Sequence, residues 1–598
     1  MGGGRQGDRR QHSVRQTSGY QTMALREVAH SRSGEKGNSS MVSVIAYDPA
    51  DYELLREQVT VERVRELYGP IVKGGIARYE VPRIGALNFV MDEVLEGGRS
   101  RTLAFEESGK ALSSLMLSLP VRVPDGYVGR AARNQDSPPA PGAGARGGRS
   151  VRLGSATAWS RDRFEPALDL VERGKVDYLC FETMSEVTMS AAQVARLDAD
   201  STAAYDPYLV ARLEPVLAAC KAKGIRIISN QGWLDPRGAA RRIKELAAQL
   251  GIADLKVAAV SGGELSGRIA DLGLRYSEDG EPVERSRDRI VSAEAYLGCE
   301  GIVHALADGA DVVLTTRVAD ACLYLGPLAF EFGWSLDDHE QMARGMVIGH
   351  LMECGAQLSG GYFADPGYKE VPGLERLGNP IAEVSEQAIT LSKLPGSGGL
   401  LTPATCKEQL LYEVADPSRY LAPDCVTNLG TVDFVQTAPD EVAVLIHGEA
   451  GQPRPPTLKA LVGLREGYMT EEMVIFAGPG ALRRARMTQD ILERRFQAIG
   501  LDAQELRFDY LGMNAVHREA TPAPACEPYE VILRVALKTR ERQEAEKLRK
   551  EIDPLAVNGV SGTGKWATSA SGSRVRSVIG LNSCLVPREL VDMQVTLY

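Results

Sequence analysis

The sequence predicts an α/β fold: a doubly wound parallel sheet core, an α+β C-terminal region, and a separate small α+β (ferredoxin-like) N-terminal domain. Three observations carry this. Four apolar, strand-like runs each stop at a polar, Gly-bearing cluster and lead into a helix-like segment: DYLCFETMSE ending at Glu186, IRIISNQGWLDP from Ile225, KVAAVSGGEL from Lys256 and DVVLTTRVAD from Asp311. Strands and helices alternate strictly from about Val151 to Gly333, which implies parallel pairing with right-handed crossovers. A Pro/Gly/Ala/Ser run, Asn134 to Ser150, splits off a module of roughly a hundred residues.

Residues 1–22, rich in Arg, Gln, Gly and Ser, can bury little and are expected to be a disordered extension or an upstream-start artefact; the apolar half of an amphipathic presequence is missing. Residues 23–125 form the small domain, with strand-like MVSVIAYD, GALNFVM and RTLAFEE alternating with helix-like DYELLREQ, VERVRELYG and KALSSLML. Residues 126–150 are the linker and 151–380 the α/β core. There the helix PRGAARRIKELAAQLG has Asp235 as N-cap, Pro236 at its first position and Gly251 as its stop. In 381–598 the alternation gives way to β-rich runs (TVDFVQT, EVAVLIHGE, YEVILRVALK, MQVTLY) and two long helices, an α+β region integrated with the core.

At 598 residues the chain exceeds what one hydrophobic core serves. A net charge of −10 gives no reason to expect a nucleic-acid partner, because phosphate neutralisation needs a strongly basic surface. No run approaches the roughly 20 apolar residues of a membrane span, and no secretion signal is present, so no membrane partner and a cytoplasmic location are expected. Nine scattered cysteines without CxxC spacing read as reduced thiols.

In open α/β sheets ligands bind beyond the carboxyl ends of the strands, so the four junctions are the candidate crevice. Glu182 and Glu186 could supply an acid and a base, although Glu186 would also suit helix capping. Asn230, Gln231 and Gly232 present an amide and free backbone N–H groups at a helix start, suited to a carboxylate or phosphate, or simply a tight turn. Ser261, Gly262, Gly263 and Glu264 form a weaker version. Thr315, Thr316, Arg317 and Asp320 place an arginine and a carboxylate where burial demands a partner or a ligand.

His350 and Glu353 share a helix face and could bind substrate, hold a metal or trade a proton; without a second histidine at matching spacing no metal is assigned. Cys354 reads as packing rather than as a nucleophile. Gly396, Gly398 and Gly399, with Thr402 and Thr405, form a loop whose donors could lie against a phosphate or thioester, or face solvent. SRSGEKGNSS, with Arg32 and Lys36, is either an anion nest or an exposed hairpin turn. GVSGTGKW has Walker-like spacing at Gly559, Gly564 and Lys565, but Trp566 replaces the magnesium-binding hydroxyl, so an NTPase is rejected; no dinucleotide fingerprint occurs either.

The motifs VDYLCFETMSEVTM, SNQGWLDP, AYLGCEGIVHALADGADVVLTTRVAD, FGWSLDDHEQMARGMVIGHLMECGAQLSGGYFADPG and CKEQLLYEVADPSRYLAPD resemble the acyclic terpene utilisation protein family, AtuA, over nearly everything from about Arg152 onward. AHSRSGEKGNSS and IGALNFVM resemble the small ferredoxin-fold module that follows the large domain in this family; here it comes first, so the two domains are in swapped order. The turn Ser261–Glu264 departs from the acidic turn of family members. The resemblance implies breakdown of branched acyclic terpenoids through acyl-CoA intermediates.

Setting and residues together lead to the expectation of a lyase or hydratase acting on a branched acyl-CoA thioester or related carboxylate. Glu186 or Asp320 would move a proton, with Glu182 as the companion carboxyl, and Arg317 and the Asn230 turn would hold an anionic group. No cofactor beyond a CoA-linked substrate is expected, the partner is a small acyl molecule, and a homo-oligomer is anticipated. The alternatives are a non-catalytic ligand-binding or partner-recruiting subunit, and a tailoring enzyme acting on a free acid.

Overall fold

The computed structural model describes residues 19–132, 149–198, 204–523, 526–565 and 575–598. Most of the expected extension and linker, and Trp566, lie outside the described residues. Five parallel strands form the centre: β1 (Ser150–Thr157), β2 (Tyr178–Phe181), β3 (Arg226–Ser229), β4 (Val257–Ser261) and β5 (Val312–Thr315). Their order is β1-β2-β3-β5-β4. β2 and β5 are buried along their whole length because helices cover both faces, which is why they read as continuous apolar runs.

On one face pack α1 (Glu165–Arg173), α3 (Leu209–Lys223) and α4 (Pro236–Gln249), with α2 (Glu186–Asp198) between the first two in sequence. On the other pack α5 (Glu300–Ala307), α6 (Cys322–Phe332) and α7 (His339–Met352). The start of α4 is as its sequence indicates: the Asp235 side chain accepts from Gly238 N at 2.7 Å, and Gly251 has φ +74 just beyond the end.

The C-terminal region does not stand apart. Pro380–Ser385, Ile389–Lys393, Glu441–Ile446 and Val432–Ala438 extend the sheet antiparallel beyond β1, and the last strand, Gln594–Leu597, adds to its other edge against β4. Between them lies a βαββαβ unit: β6 (Thr457–Ala477), α8 (Ala481–Ala498), β7 (Glu505–Leu511), β8 (Glu530–Thr539), α9 (Arg542–Ile552) and β9 (Arg576–Pro587). Its strands run β7-β8-β6-β9, a second ferredoxin-like arrangement. Ile290–Ala295 from the core pairs with β6 and ties this unit to the α/β sheet.

Gly262 fastens the closing strand. It has φ +118, and a Cβ there would lie 2.0 Å from the Asp592 carbonyl oxygen. Gly262→Ala combines left-handed strain with a backbone clash, so a stability loss of more than about 1 kcal/mol is expected. Thermal melting checks it, with earlier proteolytic release of the C-terminal strand.

In the small domain Ser39–Ala46, Ala86–Met91 and Ile76–Val81 form an antiparallel sheet in that order, and Ser33–Lys36 pairs with Ser39–Ala46 as a hairpin. Two expectations are corrected here. Tyr20, Gln21 and Thr22, assigned to the extension, begin a strand that pairs with Pro120–Pro124. RTLAFEE is not a strand: the Leu103 carbonyl accepts from Arg534 Nη1 at 2.8 Å and its side chain packs with Met469, Ala536 and Val578, so its backbone is committed to the large domain.

The small domain docks on the large one through a shared core. Ile45, Val81, Ile84 and Ala86 belong to the same buried cluster as Val432 and Phe434. Beside it, Glu408 accepts from His30 Nδ1 at 2.6 Å and from Lys369 Nζ at 2.8 Å, with the three side chains 2%, 1% and 6% exposed, respectively.

Candidate active site

Because the five central strands are parallel, their carboxyl ends share one edge, and the polar clusters that follow them converge there. The small-domain hairpin roofs this edge. Between the two lies a cavity of about 860 Å³ lined by Glu182, Glu186, Arg317, Asp320 and Glu353, by Tyr296, Glu413, Tyr420 and Lys459, and by Lys36 and Lys110 of the small domain. Its volume lies in the range of small-molecule and cofactor sites.

Glu182 immediately follows β2. Its Oε1 accepts from Met184 N at 2.8 Å and from Asn230 Nδ2 at 3.1 Å, and Oε2 has no hydrogen-bond partner among the described residues. Burial raises its carboxyl well above the usual range and the charge of Asp320 adds to this, outweighing Arg317. Asp320 sits in the turn after β5, ion-paired to Arg317 at 2.6 Å. Arg317 also donates to the Met184 carbonyl, and its guanidinium lies 4.4 Å from the centre of the Tyr296 ring.

Glu186, the first residue of α2, has the opposite character. Burial alone would raise it, but Lys459 at 2.7 Å, with Lys36, holds its carboxyl down at about 2. It is therefore a fixed anion at neutral pH, and the expected role of proton carrier does not suit it.

His350 and Glu353, one helical turn apart at the end of α7, form a second acid/base unit. His350 Nε2 lies 3.1 Å from the Leu410 carbonyl oxygen, which only an N–H can satisfy, so Nδ1 faces Glu353 Oε1 at 3.2 Å with a lone pair or a second proton. Lone pair against lone pair would repel, so one proton sits between them. Burial raises Glu353, favouring the form in which the carboxyl carries it.

Several expected binding residues lie elsewhere. Asn230 is behind Glu182, its Oδ1 accepting from Thr183 N at 2.8 Å, so its amide orients the acid rather than a ligand. Gly232 is packed so that a Cβ would fall 2.6 Å from the Thr315 carbonyl, and the start of α4 is occupied by Asp235. A Cβ on Gly263 would meet the Ala295 carbonyl at 2.7 Å, and Gly262 meets the C-terminal strand, so this turn packs against backbone. Gly398 and Gly399 approach Gly373 and Ser359 for the same reason. His350 reaches the cavity only through Glu353. Arg32 donates to Gln357, which lines the cavity, and stacks 4.0 Å from the Tyr412 ring. The glycine-rich turns are close-approach sites, a requirement that selects the same residues as an anion nest.

Thr316 also points away, donating to Glu294 Oε1 at 2.5 Å. Burial pushes Glu294 up to about 8 against that hydrogen bond. The folded chain thus keeps a proton that the unfolded chain releases above its ordinary value of 4.5. The stabilisation is complete below that value and is lost, by about 1.4 kcal/mol per pH unit at most, as pH rises toward 8. Glu294→Gln should flatten this part of the pH–stability curve, as measured by melting temperature at a series of pH values from 4.5 to about 8.

Glu413, Lys459, Tyr296, Tyr420 and Lys110 were not foreseen. Glu413 and Tyr420 do fall within CKEQLLYEVADPSRYLAPD, and Glu413 has φ +57, an uncommon geometry for a glutamate. Lys459 lies on a long strand with no local sign of function. Among the described residues no group of three or more His, Cys, Asp or Glu side chains is placed to hold a metal ion, and no helix is long and apolar enough to cross a membrane. All nine cysteines are free.

The fold and site define a two-domain α/β protein with a charged cavity between the carboxyl edge of a parallel sheet and a small ferredoxin-like module. Residues 151–597 match the family model described as acyclic terpene utilisation family protein AtuA, and residues 23–122 match the AtuA ferredoxin-like domain. The chain belongs to the AtuA family, with its ferredoxin-like domain at the N-terminal side, and membership places it in acyclic terpene utilisation. No curated protein and no solved structure matches the chain.

Proposed function

We propose that the protein is a lyase or hydratase acting on a branched acyl-CoA thioester or related carboxylate by carboxyl acid/base chemistry. The observation that supports this most is the pairing of Glu182, held protonated, with Asp320, ion-paired to Arg317, on one wall of the cavity. A carboxyl that burial keeps protonated, beside a carboxylate ion-paired to an arginine, offers an acid and a base for one reaction.

In the hydration direction Asp320 takes a proton from water as the water oxygen bonds to the β-carbon. The π electrons move to the α-carbon, which takes the proton of Glu182. A proton then passes from Asp320 back to Glu182, and elimination is the reverse. Burial also raises Glu353, and raises Glu35 to about 7, which reduces the negative charge facing the six lysine and arginine side chains on the wall and favours an anionic ligand.

The partner-recruiting alternative draws on a freely available small module, whereas here that module is committed to the large domain through a shared core. This favours the enzyme reading. The test is incubation with 3-methylbut-2-enoate and its CoA thioester in D2O, followed by NMR. Deuterium should appear on the α-carbon of hydrated product with the wild-type protein and not with Glu182→Gln. Absence of reaction with both compounds would count decisively against the proposal. Glu186→Gln should weaken turnover less than Glu182→Gln, because Glu186 is already a fixed anion; steady-state kinetics compares them.

A further inference from the structure

Across the cavity runs a line of alternating charges that joins the two domains. Lys459 Nζ, on β6, is 2.7 Å from Glu186 Oε1, and the Tyr296 hydroxyl lies 3.3 Å from the same oxygen. On the small-domain side, Lys36 Nζ is 3.2 Å from Glu413 Oε2, and Lys110 Nζ is 3.5 Å from Glu413 Oε1. Lys36 lies within the field of both glutamates and of Lys459. Three cations thus share two carboxylates, and all five side chains line the cavity. Lys36 and Lys459 feel one another's charge across the cavity although Glu413 and Glu186 also act on Lys36, so a negative oxygen placed between the two ammonium groups would be attracted by both.

Arg317 is less suited to that task. Its Nη1 serves Asp320 and the Met184 carbonyl and its Nη2 serves Asp320, so only its buried Nε is without a hydrogen-bond partner among the described residues. The Asn230 amide is likewise spent on Glu182 and Thr183.

We propose that Lys36 and Lys459 form the subsite for the substrate's negatively charged oxygen, so that binding is completed across the domain seam by a side chain of the ferredoxin-like domain. The oxygen is either the carboxylate of a free branched acid or the carbonyl oxygen of a thioester, which gains charge as the α-carbon reacts. This deepens the function proposed above and rests on it for the identity of the ligand. The Ser33–Lys36 hairpin carries the residue, and its sequence shows why it is there: Gly34 packs so closely that a Cβ would fall 2.5 Å from Glu413, which seats the strand against the large domain and leaves Lys36 at the cavity.

The experiment is calorimetric titration of the full-length protein with 3-methylbut-2-enoate, with its CoA thioester and with the neutral amide, using wild type, Lys36→Met, Lys36→Arg, Lys459→Met and Glu413→Gln. Each Met variant should weaken binding of the charged or thioester probe by about ten-fold or more, and Lys36→Arg should restore most of it. Amide binding should change little. Glu413→Gln separates ligand binding from domain docking: it breaks the same ion pair but frees Lys36, so binding should be retained or tightened.

Loss of binding in Glu413→Gln equal to that in Lys36→Met would reduce Lys36 to a docking residue and overturn the proposal. Unchanged binding in both Met variants, or no saturable binding of either probe to wild type, would also overturn it. A Lys36-dependent free acid identifies the carboxylate as the bound group; a Lys36-dependent thioester alone identifies the carbonyl. Lys36-dependent binding without any turnover would refute the acid/base reading and leave the subsite standing.

Discussion

Glu182→Gln is expected to lower turnover by about 10²- to 10⁴-fold, the range carried by a positioned proton donor, while the protein stays folded. The fold should survive because the amide can still accept from Met184 N and Asn230 Nδ2, the two bonds that hold Oε1 in place. The amide has no acidic proton to give from the position of Oε2, so the loss should fall on the chemical step, with kcat reduced more than KM is raised. The pH dependence follows from the direction of the shift. Burial, reinforced by Asp320, holds the acid protonated well above the ordinary carboxyl value, so wild-type activity should persist through neutral pH and fall as pH rises through the raised value. Direct titration of the Glu182 carboxyl in Asp320→Asn, followed by NMR, supplies the counterpart: with the repelling charge gone, it should titrate at lower pH than in the wild type. An unmoved titration would mean that Asp320 does not act on Glu182.

Glu408→Gln should destabilise the protein by about 3–5 kcal/mol, because it leaves a buried lysine without its counter-charge. In the wild type the Glu408 carboxylate answers both Lys369 Nζ and His30 Nδ1, in a seam from which water is largely excluded. Phe363, whose ring centre lies 4.3 Å from Lys369 Nζ, stays in place but cannot substitute for a carboxylate. Since His30 comes from the small domain and Glu408 and Lys369 from the large one, the loss should appear as looser docking, seen as increased hydrogen exchange on both sides of the seam. Acid should act similarly. Burial, with the nearby Lys369 and Lys407 charges, lowers His30 below 6.5 even against Glu408, so below 6.5 the unfolded chain takes up a proton that the folded one resists. Chemical denaturation at a series of pH values would show whether stability falls on that side.

Much of the architecture was open to reading because it depends on short-range rules. Apolar runs of four or five residues ending in Gly or polar residues marked β2, β3, β4 and β5, and the Asp235–Pro236–Gly251 punctuation marked α4 to within a residue. RTLAFEE failed because its pattern resembles a strand while its Leu103 carbonyl is recruited by Arg534, more than four hundred residues away in sequence. The glycine turns misled for a related reason. A tight approach of backbone to backbone and an anion nest both require the absence of a Cβ, and only the neighbours, such as the Asp592 carbonyl beside Gly262, tell them apart.

By itself the sequence determined the α/β alternation, the small α+β module and its place ahead of the core, the edge of the sheet where a site would lie, and the family. Tertiary structure decided which of the carboxyls on that edge are acids and which are fixed anions. Glu182 and Glu186 are four residues apart and look interchangeable in the chain, yet one is buried beside Asp320 and the other is gripped by Lys459, 273 residues distant. Lys36 meets Glu413 across 377 residues. Secondary structure follows from hydrogen-bond periodicity and capping between near neighbours, whereas protonation follows from burial and from charges brought close through space, and these are properties of the folded chain alone.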